Sequence, residues 1–173
     1  MVFPGFYENE EASYSGDTGQ VFGEAAYPIL MGSAAIEPFA GLAFVHVSTD
    51  SFHERGGVAA LRGASEDEDV GYSTLGLRVA TTWRLSDMPF TPHVSAAWQH
   101  AFGDLTADAA LAFLSAGTGF AVTGVPLAQD SAVIDIGFDL KLGPAITLGV
   151  SYAGHFANDL QDNAVKSRFT WLF

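Results

Sequence analysis

At 173 residues the chain is long enough for one domain with its own core or one small barrel, and too short for two comfortable domains. It carries 20 Asp and Glu against 7 Lys and Arg, and a net charge of −13 argues against nucleic acid as a partner, because a phosphate backbone needs a basic surface. With no cysteine there is neither a disulfide framework nor a thiolate zinc site, while 49% apolar residues, 19 glycines and 14 Phe against only 16% charged residues mark a low-charge, aromatic-rich chain.

In chain order, "MVFPGFYENEEASYSGDTGQ" has neither a basic nor an apolar stretch of the kind a signal peptide needs, so any export signal is expected upstream. "MVFPGFY" reads as the remnant of a truncated strand. From there period-two alternation recurs and helical periodicity does not, the primary mark of an all-β chain. Seven segments carry it: "TGQVFGEAAYPI" (18–29), "AIEPFAGLAFVHV" (35–47), "YSTLGLRVATTWRL" (72–85), "FTPHVSAAWQHAFG" (90–103), "AVIDIGFDLKLG" (132–143), "AITLGVSYAGHF" (145–156) and "AVKSRFTWLF" (164–173). The stretch 107–125 reads as an extended surface hairpin turning near "SAGTG", with a short helix over "DAALAFL" left open. The longest apolar run, "AALAFL", is far below the roughly 20 residues of a membrane-spanning helix.

Each segment sorts into two unlike faces. Leu75, Leu77, Val79, Trp83 and Leu85 alternate with Thr74, Gly76, Arg78, Thr82 and Arg84; Ile134, Ile136, Phe138 and Leu140 alternate with Asp135, Gly137, Asp139 and Lys141. At the C-terminus Val165, Phe169, Trp171 and Phe173 oppose Lys166, Arg168 and Thr170. A soluble sandwich or lipocalin-type barrel alternates in the same way, so strand length and connections decide. Strands of about 10 residues match the ~9–11 that cross a bilayer at a tilt. Connections alternate between tight ("RLSDMPF", "KLGPA") and long and polar ("STDSFHERGGVAALRGASEDEDVG", "DLTADAALAFLSAGTGFAVTGVPLAQDS", "NDLQDN"), as in outer-membrane barrels. The acidic residues fall mostly on the long-connection side, with Asp87 on a short turn as the exception, and "SEDEDVG" reads as a solvated loop rather than a calcium site.

Together "GDTGQVFGEAAYPI", "IEPFAGLAFVHV", "YSTLGLRVATTWRL", "PHVSAAWQHAFGD" and the run from "GFAVTGVPLAQDS" to "KSRFTWLF" resemble the translocator β-domain of autotransporters, the type V secretion proteins of Gram-negative bacteria. The resemblance covers nearly the whole chain from about residue 17. It implies an antiparallel, up-and-down transmembrane β-barrel of the outer-membrane type, with about seven or eight strands present of an expected twelve. Residues 1–173 would then be a barrel domain incomplete on its N-terminal side. It further implies that the domain anchors and helps export an N-terminal passenger absent from this chain. The implied location is the cell outer membrane, and the implied partners are outer-membrane lipid, the β-barrel assembly machinery and the passenger itself. Phe169, Trp171 and Phe173 match the family's C-terminal assembly signal, whereas Ser167 departs from its apolar pattern.

The charges on the polar side, Glu24, Glu37, Arg78, Arg84, Asp135, Asp139, Lys141, Lys166 and Arg168, are expected to line a lumen, as ion pairs holding the wall or as the lining of a wet conduit. His46, His53, His93, His100 and His155 are scattered without ligand spacing, and no nucleophile or phosphate-loop motif stands out, so neither catalysis nor a metal or other cofactor is expected. Two other readings remain: a self-contained small outer-membrane barrel with a structural or adhesive role, and a soluble ligand-binding barrel.

Overall fold

Side chains alternate between the two faces of a strand, and a sheet keeps that contrast only when neighbouring strands pair like with like. The computed structural model describes residues 2–3, 6–7, 9–158 and 160–173. Within them lie β1 (Val2–Phe3), β2 (Phe6–Tyr7), β3 (Gly16–Ala26), β4 (Ile29–Met31), β5 (Ala34–Thr49), β6 (Phe52–His53), β7 (Leu61–Gly63) and β8 (Glu66–Thr81). They are followed by β9 (Trp83–Leu85), β10 (Met88–Gly103), β11 (Asp108–Phe113), β12 (Gly119–Thr123), β13 (Asp130–Lys141), β14 (Ile146–Ala157) and β15 (Gln161–Trp171). The long strands form one sheet in the order β15-β14-β13-β10-β8-β5-β3, with β4 added to β5 and β9 to β10.

The described residues divide into two compact units, one drawn from 1–21, 44–71 and 102–127, the other from 22–43, 72–101 and 128–173. The second unit holds β13, β14 and β15 entire, all antiparallel, and their register does what the alternation requires. Ile136 lies opposite Val94 and Tyr152, and Phe138 opposite Pro92 and Val150. One residue along, Asp135 faces Ser95 and Ala153, and Asp139 faces Thr91 and Gly149. Two hairpins in this unit close on two-residue turns. Gly32, with φ +63°, opens the turn from Met31 to Ala34, and Ser86 and Asp87, with φ 48° and 71°, form the turn from Leu85 to Met88. Positive φ at both central positions is the type I′ geometry whose twist matches paired strands.

In the first unit a four-stranded antiparallel sheet runs β12-β11-β7-β6. Its carboxylates are placed rather than merely solvated. Glu66 Oε1 accepts the Ala110 N–H at 2.9 Å, Asp104 Oδ2 accepts the Asp69 N–H at 2.9 Å, and Asp69 Oδ1 lies 2.8 Å from His46 Nδ1.

Several expectations are corrected here. The acidic run "SEDEDVG" is not a loop: residues 66–71 are the first third of the 16-residue β8, where Glu66 and Glu68 alternate with the more exposed Asp67 and Asp69. "NDLQDN" is not a long connection either, because β14 ends at Ala157, β15 begins at Gln161, and the Ala157 N–H reaches the Leu160 carbonyl at 2.8 Å. Among the described residues of "MVFPGFY", β1 pairs with β2 rather than with the long sheet; the rest of the expected strand remnant, at Met1, Pro4 and Gly5, lies outside the described residues. In 107–125 the hairpin holds and the helix does not, since β11 and β12 pair from Asp108↔Thr123 to Ala112↔Gly119.

Candidate functional site

The second unit presents two faces of opposite character. On one, Leu75 (55% exposed), Ile136 (53%) and Val165 (77%) stand open, along with Leu77, Val94, Trp98, Val150, Phe169 and Trp171. Trp83, Phe90 and Phe138 extend this face as a ring series near the Ser86–Asp87 turn, with centroids 6.3 and 5.4 Å apart. The other face is polar, and all nine charges expected on it belong to this unit.

Arg78 on β8 is the centre of one cluster. Its Nη1 and Nη2 donate to the two carboxylate oxygens of Glu24 on β3, each at 2.7 Å, and Nη1 also donates to Glu37 Oε1 on β5 at 3.0 Å. The guanidinium carbon lies 3.8 Å from the centre of the Phe39 ring, so one cation is held by two carboxylates and an aromatic face. The ring can lie there because β8 has glycine at 76: a Cβ at that position would sit 2.4 Å from the Phe39 ring and 2.8 Å from the Ala97 Cβ.

A second pair ties the last strand into the sheet. Arg168 Nη2 on β15 donates to Asp139 Oδ1 on β13 at 2.9 Å, reaching over the intervening β14. The residue between them in the register is Gly149, and a Cβ there would meet Asp139 Oδ1 at 2.5 Å. Glycine thus opens the path through which the two side chains meet. Asp135 has His93 Nε2 at 3.6 Å, and with Glu37, Arg78 and Ser95 these line an open depression of about 460 Å³.

The remaining expected charges stand apart from these pairs. Lys166 lies opposite Ser151, Lys141 opposite Thr147, and Arg84 opposite Pro89, and none makes an ion pair among the described residues. Phe169 and Trp171 sit on the apolar face opposite Leu148 and Ile146, while Phe173 follows the end of β15 and is fully exposed. No three His, Asp or Glu side chains among the described residues are placed to hold a metal ion. Phe39 and His93 were not among the expected site residues. Phe39 is an aromatic residue on a polar face, and the signal for it is the small residues, Gly76 on the neighbouring β8 and Ala97 on β10 beyond it.

Buried apolar side chains are almost absent: Ala60, Val70, Ala101 and Ala112 are the buried hydrophobic residues among those described. A soluble domain of this length needs a core, whereas a sheet with one open apolar face, an ion-paired opposite face and strands of up to 16 residues is the wall of an outer-membrane β-barrel. The family model of the autotransporter β-domain matches residues 1–153. Two sequences from Serratia marcescens, each named extracellular serine protease, are 34% identical to this chain over 166 residues, 96% of it and 16% of their own length. The chain belongs to the autotransporter β-domain family, whose members are transmembrane translocator barrels. It spans about a sixth of the length of the curated relatives it matches.

Proposed function

We propose that this chain builds translocator barrel wall in the outer membrane of a Gram-negative bacterium, where it anchors a passenger polypeptide and assists its export. One observation carries the reading: an exposed apolar face backs directly onto a face organised by the Arg78–Glu24–Glu37 and Arg168–Asp139 pairs. An apolar face this open suits lipid. Placing Arg or Lys at the bilayer midplane on that side would cost about 2–4 kcal/mol each, so the nine charges belong on a water-filled lumen. In this reading Glu24, Glu37, Arg78, Arg84, Asp135, Asp139, Lys141, Lys166 and Arg168 line the conduit, with the paired ones fixing the wall and Arg84, Lys141 and Lys166 facing the passing chain.

The domain itself does no catalysis; the protease activity named for the relatives falls to the far larger part of those proteins that this chain does not match. Residues 1–173 contribute wall to one barrel domain and do not make the whole of it. Its partners are outer-membrane lipid, the passenger and the β-barrel assembly machinery, which reads Phe169 and Trp171 on the last strand and Phe173 just beyond it. Deleting Phe173 tests the last role. The fraction of protein giving a heat-modifiable, membrane-embedded band should fall severalfold against wild type, and insertion at the wild-type level would contradict the assignment.

A further inference from the structure

We propose that β12 is a self-pairing edge, joining two copies of this chain strand to strand. In the four-stranded sheet β12 has β11 on one side and, among the described residues, no strand on the other. The backbone bonds Phe113 N–H to the Thr118 carbonyl (3.2 Å) and Gly124 N–H to the Ala107 carbonyl (2.7 Å) set the phase of the ladder. Leu111↔Phe120 and Ala109↔Val122 are then the bonded pairs, which turns the N–H and C=O groups of Gly119, Ala121 and Thr123 away from β11, with no backbone partner among the described residues.

Edges of this kind are normally blunted by charge, proline or shortness. The opposite edge shows shortness and charge, since β6 is two residues long and is followed by Glu54 and Arg55. On the β12 side, by contrast, residues 109–129 contain no Asp, Glu, Lys, Arg or His in a chain of net charge −13. A second copy therefore meets no like charge along this edge.

The strand is also complementary to itself. Antiparallel pairing about a two-fold axis at Ala121 sets Ala121 opposite Ala121 and Gly119 opposite Thr123 of the second copy. All three outward-facing residues of each copy are then satisfied. On the other side of the strand the same register sets Phe120 against Val122 of the second copy, twice, an aromatic–β-branched pair of the kind that stabilises sheets. Phe120 already packs on Phe113, with ring centres 5.4 Å apart, so the apolar strip continues from one copy into the next. The Gly117 turn, with φ +65°, and Pro126 bound the window on either side.

The absence of cysteine makes the test direct. The full-length protein carrying Ala121→Cys, in native membranes and checked for its heat-modifiable band, is treated with a short bifunctional thiol cross-linker and compared with Ala116→Cys in the turn of the same hairpin. Cross-linked dimer should form at least about fivefold more efficiently at 121, because only there are the two Cα atoms near ~5.5 Å apart. Ala121→Asp should abolish the dimer by opposing two carboxylates, and co-expression with an Ala121→Lys copy should restore it. Equal yields at both positions, no dimer at 121, or capture of a different polypeptide there would each overturn self-pairing and leave the translocator reading untouched.

Discussion

Arg78 shows how a polar wall is assembled one residue at a time. Its bidentate bond to Glu24 and single bond to Glu37 join three strands, and the Phe39 ring under the guanidinium fixes the plane in which they meet. That ring lies over Gly76, so the platform depends on a missing side chain. Gly76→Val should lift the ring off β8 and lower stability by about 1–3 kcal/mol, the usual range for overpacking. Gly23→Val is the matched control, since a Cβ at Gly23 meets nothing within 4 Å. Urea unfolding in detergent should show a lower midpoint for the first variant, and equal midpoints would refute the ring-on-glycine arrangement. That Glu24, Glu37, Arg78, Asp139 and Arg168 share a polar side is legible from alternation within each strand. Which of them meet is not, because pairing across strands depends on register and on what Gly76 and Gly149 leave open.

Alternation was readable where the two sides of a strand meet different media. Across 72–81, 132–141 and 146–156 one side is apolar and the other is small or charged, so these strands stand out in the sequence. In 66–69 every residue is acidic on both sides of the strand, and the contrast that identifies a strand vanishes although the strand continues. The same holds for β6 and β7, two and three residues long, which sit inside what reads as a polar connection. Turn chemistry is a weaker guide still: Ser86 and Asp87 both adopt positive φ without being glycine. Replacing them with the preferred pair, Ser86→Asn with Asp87→Gly, should stabilise the β9–β10 hairpin by up to about 1 kcal/mol through relief of strain. A raised unfolding midpoint is the expected result, and an unchanged or lowered one would mean that the turn is held by something other than its own geometry.

At the scale of the molecule, the four small or medium buried apolar residues among those described are no basis for a soluble fold. The apolar side chains are instead on display, and the family match accounts for why: the medium, rather than a second layer of protein, covers them. Strand length and alternation already pointed to that class from sequence, and the β11–β12 hairpin was legible too, but its pairing with β7 and β6 was not, because a long connection carries no periodic signature to reveal what it pairs with. The central claim is that one face of each long strand of the second unit meets lipid and the other meets water. A cysteine-free chain allows single nitroxide labels at Leu75, Leu77, Ile136 and Phe138 on one face and at Thr74, Asp135, Gly137 and Asp139 on the other, with collision rates measured for oxygen, which concentrates in lipid, and for a water-soluble nickel chelate. Accessibility should alternate with a period of two along both strands, oxygen favoured at the first set and the chelate at the second. Chelate access at Leu75, Leu77, Ile136 and Phe138 equal to that at Thr74 and Asp135 would contradict a membrane-embedded wall.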